Sequence, residues 1–195
     1  RLNVIYFVTI STVSNAQDFG DLTVDGSLGG VMSNQTRALY AGRSSASGIR
    51  NVIDYVTIAQ TGAAVNFGDL SAIREHNCAT SSPTRGLIAG GITPSNTNQI
   101  EFITIATTGD AQDFGDLSTA GNSLGGGSGS QVRAIFAGLG GTVNIEYVTY
   151  ATLGNYADFG DMLDGREDMA SNSDSIRSIL GGGLNPSRVN SIDYI

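Results

Sequence analysis

Apolar positions along this chain fall in short runs, each closed by Gly, Asn, Asp or Ser. The run Ile5-Tyr6-Phe7-Val8-Thr9-Ile10 is β-branched and aromatic and lacks helical i, i+3, i+4 spacing, so it predicts a strand. The same word returns as Ile53-Asp54-Tyr55-Val56-Thr57-Ile58, Ile100-Glu101-Phe102-Ile103-Thr104-Ile105 and Ile145-Glu146-Tyr147-Val148-Thr149-Tyr150. A truncated copy, Ser191-Ile192-Asp193-Tyr194-Ile195, follows at the end. A second word, Asp18-Phe19-Gly20-Asp21-Leu22, recurs around Phe67, Phe114 and Phe159, spaced 48, 47 and 45 residues apart. A third begins at an arginine: Arg37-Ala38-Leu39-Tyr40-Ala41-Gly42, then from Arg85, Arg133 and Arg177. Three words kept in one order define an array of repeats.

Between the Phe-Gly-Asp word and the arginine lie stretches of small residues, 27–33, 76–82, 123–130 and 168–173. Each unit therefore predicts four short antiparallel strands: a (small residues), b (arginine word), c (Ile-Asp-Tyr word) and d (Phe-Gly-Asp word). That is the size of a propeller blade. Small side chains suit the crowded axis where blades converge, and aromatic and branched ones fill the wider space between blades. The expectation is an all-β single domain over 1–195, a β-propeller with four blades of four antiparallel strands. Repeat units fall at 5–52, 53–99, 100–144 and 145–191, with a partial fifth at 191–195. Four complete blades require the N-terminal c–d pair to join the C-terminal a–b pair, a closure that removes free sheet edges. The segment Ile192-Asp193-Tyr194 then competes with Ile5-Tyr6-Phe7 for one place. A piece of a larger propeller, or completion by a second chain, is the alternative.

These residues resemble kelch-type repeats: a strand ending in Gly-Gly (Gly90-Gly91, Gly182-Gly183), an Ile-Glu-Tyr strand, then an aromatic and a downstream Arg. The resemblance covers the whole chain and departs at the blade tryptophan, replaced by Phe19, Phe67, Phe114 and Phe159. The wording "TIATTGDAQDFGDL" and "CATSSPTRGLIAGG" looks like repeat arrays in structural and tail-fibre-like proteins of marine bacteriophages. That likeness implies a virion or extracellular setting.

Composition narrows the chemistry. The formal charge is −8, all ten basic residues are arginine, and none cluster, which disfavours nucleic acid, whose binding needs concentrated positive charge. The single Cys78 excludes an internal disulfide and CxxC metal sites, and the single His76 removes most zinc and histidine-base chemistry. No long apolar run, signal peptide or basic amphipathic stretch predicts a membrane anchor. Arg1 suggests a processed chain or a fragment.

In an up-and-down blade, b–c and d–a loops share one face, and there length and composition vary most. Variable loops on a rigid frame are where recognition resides. Arg43, Arg50, Arg74, His76, Asn96, Asn98, Arg166 and Arg188 are the candidate contacts for a cell-surface ligand, a glycan or protein. Arg37, Arg85, Arg133 and Arg177 recur in every blade and are expected to pair structurally with Asp54, Glu101, Glu146 and Asp193. In the d word, Phe is expected to fill an interblade pocket, and Asp21, Asp69, Asp116 and Asp161 to bond local turn amides. Four-fold repetition without a glycine-rich loop sets aside the kinase Asp-Phe-Gly motif. The acids lack an Asp-x-Asp-x-Asp-Gly loop, so no metal is assigned. His76 and Cys78 lie two apart on or beside a strand, where contact is feasible, but a packed Cys and a loop His account for them. Asn34-Gln35-Thr36 matches a glycosylation sequon without a secretory signal, and Gly125–Gly129 resembles a phosphate loop without its Lys. No catalytic residue or cofactor is expected. The leading reading is a non-catalytic recognition module. An architectural oligomerising repeat, associating with itself or other virion proteins, is second, and a propeller hydrolase or oxidase third.

Overall fold

A computed structural model describes residues 1–121 and 126–195; Asn122 of the third d–a loop, and Ser123 and Gly125 of the third small-residue stretch, lie outside the described residues. The chain opens with a hairpin, β1 (Val4–Phe7) and β2 (Gln17–Asp21). The first full sheet is β3 (Gly30–Ser33), β4 (Arg37–Ser45), β5 (Gly48–Thr57) and β6 (Val65–Asp69). The second contains β7 (Cys78–Ser81), β8 (Arg85–Ala89), a short β9 (Ile92–Thr93), β10 (Ser95–Thr104) and β11 (Gln112–Gly121). The third is β12 (Gly126–Gly129), β13 (Arg133–Ala137), β14 (Asn144–Thr149) and β15 (Ala157–Asp161). The fourth starts with β16 (Ala170–Ser173) and β17 (Ser178–Gly181); the pair β18 (Leu184–Asn185) and β19 (Ser187–Arg188) follows, then β20 (Ile192–Tyr194). Among the described residues all strand pairings are antiparallel, and the four sheets form a four-bladed β-propeller.

The inner strands β3, β7, β12 and β16 carry the small residues, and side-chain size sets how closely they approach. A Cβ on Gly127 would lie 2.7 Å from the Ala79 carbonyl oxygen, so only glycine fits there. Serines bind neighbouring inner strands: Ser81 Oγ donates to the Ser33 carbonyl at 2.7 Å, and Ser171 Oγ to that of Gly127 at 2.9 Å. At one end, the four a–b turns together line an open cup of about 370 Å³. Each turn is capped by its first polar side chain: Asn34, Ser82, Ser130 and Asp174 accept the N–H of Arg37, Arg85, Arg133 and Arg177. Asn34 of the sequon is thus a turn residue, with its amide also donating to the Pro83 carbonyl.

The Phe-Gly-Asp word has a geometric cause. Ile53 faces Gly68 and Asp54 faces Asn66, so Phe67 is an extra residue, a bulge repeated at Phe19, Phe114 and Phe159. A bulge re-aims one side chain; here it sets Phe edge-on to the neighbouring c-strand aromatic, Tyr55–Phe67 at 5.9 Å and 84°. The following glycine takes a positive φ, and at Gly68 a Cβ would lie 2.3 Å from the Gly109 carbonyl oxygen. Three of the d strands, β2, β6 and β11, are thereby sewn to the following c–d turn. Gly109 N–H donates to Phe67 O and Gly154 N–H to Phe114 O, both at 2.8 Å.

Closure differs from the sequence expectation. β17 pairs with β20, Leu180 opposite Asp193, whereas β1 pairs with β2 alone. The N- and C-terminal strands do not pair, and the truncated copy holds the place expected for Ile5-Tyr6-Phe7. A carboxylate decides it: Asp193 meets the buried Arg166 guanidinium at 2.9 Å, whereas the corresponding residue of β1 is Tyr6. The β1–β2 hairpin instead lies on the first blade, with Gly62 N–H donating to Phe19 O at 2.7 Å.

Candidate functional site

In the first, second and fourth blades the b–c and d–a loops share a face and are clipped together within the blade, where the a–b ladder continues outward. Bridges join Ser27 to Ser44, Glu75 to Ile92 and Glu167 to Leu184. Beneath these clips each c-strand acid reaches back to the preceding d–a loop. Asp54 accepts Thr23 N–H (3.1 Å) and Oγ1 (2.7 Å), Glu101 accepts Ser71 N–H (2.8 Å), and Glu146 accepts Ser118 N–H (3.1 Å) and its hydroxyl. Such charge-assisted bonds are stronger than neutral ones.

Three of the eight candidate contacts are consumed in these joints. Arg43 pairs with Asp54 at 2.8 Å, Arg74 with Glu101 at 2.9 Å and Arg166 with Asp193 at 2.9 Å, and all three arginine side chains are buried. This corrects their assignment as ligand contacts, because a guanidinium so enclosed cannot reach a ligand without losing its carboxylate. Arg74 and Arg166 stand four residues after Leu70 and Met162; at the matching places stand Gly26 and Gly121. Arg43 comes instead from the outer end of β4 and fills the space beside Gly26, where a Cβ would lie 2.4 Å from Arg43 Cδ. In the third blade Leu139 packs beside Gly121. The c-strand acids and the arginine four after Leu or Met were visible in the sequence. Only packing showed that they meet.

The repeat arginines therefore do something else. They stack on the c-strand aromatic of their own blade: Arg37 over Tyr55 and Arg85 over Phe102 at 4.5 Å, Arg133 over Tyr147 at 4.7 Å, Arg177 over Tyr194 at 5.4 Å. Arg37 and Arg85 also donate to the carbonyls of Ile105 and Tyr150 in the next blade. The expected pairing with Asp54, Glu101, Glu146 and Asp193 is replaced by this arrangement. The expectation for Asp21, Asp69, Asp116 and Asp161 also shifts. Asp18 and Asp158, the first acids of their words, accept the local Gly N–H at 3.1 Å. The second acids are exposed, and the backbone N–H groups of Asp69 and Asp116 bond Asp110 and Asn155 of the next blade's turn at 3.0 Å.

Of the remaining candidates, Asn96 and Arg188 are exposed, and Arg50, Asn98 and His76 half-buried. Arg50 Nε donates to Ser45 Oγ (3.2 Å) and Asn98 Nδ2 to Leu117 O (3.0 Å), so these two also brace the loops. His76 has φ 55°, matching Leu28 at 65° and Asp168 at 57°, so its backbone obeys a repeat constraint. Its N–H donates to Leu28 O at 2.7 Å, and its Nδ1 has no hydrogen-bond partner. Cys78 Sγ donates to Ala89 O at 3.6 Å, and burial pushes its thiol up to about 12. With the Cys78 thiol bonded to Ala89 O and His76 Nδ1 without a hydrogen-bond partner, the two do not form a hydrogen-bonded Cys–His pair. Burial likewise lowers Arg74 from its ordinary value, with Glu101 opposing, and arginine stays charged throughout.

Among the described residues, no group of three or more His, Cys, Asp or Glu is placed to hold a metal ion, and no helix is long and apolar enough to cross a membrane. No known protein family model and no curated protein matches the chain.

Proposed function

We propose that the chain is a non-catalytic recognition module whose b–c and d–a loops hold a cell-surface ligand, a glycan by preference, in a virion or extracellular setting. The observation that carries this reading is the footing of those loops in the first, second and fourth blades, where a buried Arg–acid pair and a bridge between the d–a and b–c segments hold them. A loop so held loses little conformational freedom on binding, which favours affinity. With Arg43, Arg74 and Arg166 committed inward, the contacts narrow to Asn96, Arg188 and the half-exposed Arg50, Asn98 and His76. The likeness of the repeat wording to phage arrays supports the virion setting.

Glycan-array binding of the intact chain tests this. Asn96→Ala with Arg188→Ala is expected to abolish binding, and Gln35→Ala with Gln131→Ala, on the a–b turns at the other end, to leave it intact. Absence of binding, or equal loss from both faces, overturns the reading.

A specific observation favours a second reading, an architectural repeat that associates with itself. The fourth blade leaves Ile179, Ile192 and Tyr194 at 52%, 73% and 72% exposure. An apolar patch of this kind marks an association surface. Mass in solution, measured with and without residues 191–195, separates the readings, since only the architectural one expects an oligomer that the deletion alters.

A further inference from the structure

The two interior joints show what a filled seam contains. Arg37 Nη1 donates to the Ile105 carbonyl at 2.6 Å, and Arg85 Nη1 to that of Tyr150. Leu39 and Leu87, on the same b strands, are sealed inside at 1% and 0% exposure. At the seam between the fourth and first blades the matching parts exist but stand apart. Ile179, in the place of Leu39 and Leu87, is 52% exposed, and Ile58, in the place of Ile105 and Tyr150, is 45% exposed. Between the β1–β2 hairpin and the first blade lies an apolar cavity of about 290 Å³, lined by Leu2, Val4, Leu22, Val31, Tyr40 and Val56 among others. Val31, Tyr40 and Val56 correspond to Ala79, Ile88 and Ile103, which in the first joint pack in one cluster with Leu39. The cavity is therefore where a b-strand Leu or Ile of a preceding blade belongs.

Two strands compete for the edge that controls this seam. Leu180 stands opposite Asp193 as Tyr40 stands opposite Asp54, and Tyr6 occupies the same repeat position in β1. One edge of β17 cannot hold both, and each strand brings what the other lacks. β20 supplies Asp193 to Arg166. β1 arrives with β2 and the edge-on Phe7–Phe19 pair at 5.9 Å, whereas β20 carries the Arg177–Tyr194 stack.

We propose that the propeller has a second, shut form, in which β20 leaves β17, β1 takes its place, Ile179 enters the cavity and Arg177 donates to the Ile58 carbonyl. Residues 191–195 are the wedge of a two-state seam, and the Arg166–Asp193 pair is its catch. Shutting buries apolar surface but strips Arg166 of its carboxylate, because β1 offers a tyrosine there. Tyr6→Asp restores the acid that the other c strands carry and shifts the balance toward the shut form.

Disulfide trapping in the full 195-residue chain, in a Cys78→Ala background, decides the matter. Gly181 has open space at its Cβ position. Gly181→Cys with Ile192→Cys reports the open form, in which those residues are opposite. Gly181→Cys with Ile5→Cys reports the shut one. Mass spectrometry of the oxidised monomer is expected to find both crosslinks. Tyr6→Asp is expected to raise the yield of the 5–181 crosslink several-fold, and deletion of residues 191–195 does so independently should the aspartate variant not fold. Absence of the 5–181 crosslink in every variant, with 181–192 forming fully, overturns the proposal. So does a 5–181 crosslink found only between chains, which would assign the edge to a second copy.

Discussion

Phe114 and Phe159 hold the same place in the same five-residue word, yet Phe114 is 2% exposed and Phe159 is 41% exposed. Both bulge from a d strand, and both lie edge-on to a c-strand ring at 6.1 Å. The difference is what lies beyond. Behind Phe114 stands the third blade, and Gly154 sits so near Gly115 that a Cβ there would lie 2.3 Å from its carbonyl oxygen; around Gly160 the space is open. A repeat word thus fixes local geometry, whereas burial comes from the neighbouring unit. That is the expected behaviour of an array in which each unit is stabilised through nearest-neighbour interfaces.

The largest effect should come from the ion pair inside the closed joint. Glu101→Ala leaves the fully buried Arg74 without its carboxylate and is expected to cost about 3–5 kcal/mol in urea unfolding. Replacing both partners, Arg74→Met with Glu101→Leu, should recover most of that loss. Asp193→Ala, whose side chain is 10% exposed at the fourth-blade edge, should cost clearly less. Equal losses would break the contrast between joint and seam.

Ring truncation comes next. Phe114→Ala is expected to destabilise by about 3 kcal/mol and Phe159→Ala by about 1 kcal/mol, since only the first opens a cavity. Arg85→Ala removes a stack on Phe102 and a bond to Tyr150 O, for a loss of about 1–2 kcal/mol. Arg177→Ala, exposed at the seam, should be nearly neutral in the same assay.

The smallest effect at neutral pH becomes visible in alkali. Burial pushes both Cys78 and Tyr150 up to about 12, from 9.0 and 10.0, with Tyr150 partly offset by its bond to Thr80. The unfolded chain then releases these protons first, so stability should fall as pH rises from about 9 toward 12. Cys78→Ala should remove the part of the decline that begins near pH 9, and thermal melts across that range would show it.

The strand order, the small-residue axis and the aromatic d word were legible in the sequence, because side-chain size and β-propensity act locally and repeat four times. The bulge that re-aims each Phe was not, since it depends on register between two strands. Arg43, Arg74 and Arg166 looked like variable-loop contacts because sequence shows where a charge lies along the chain but not which carboxylate crosses a blade to meet it. The same limit applied to Asn98 and Arg50, which brace loops through bonds that no spacing announces.

By itself, the amino-acid sequence determined four repeats of β strands, the size gradient from axis to rim, and the presence of two strands suited to one place. Only the tertiary structure decided which strand holds that place and which arginines face inward. Local words specify geometry through steric and hydrogen-bond rules within a few residues. Competition for a shared edge, and the pairing of buried charges, depend on distances between units that the linear order does not contain.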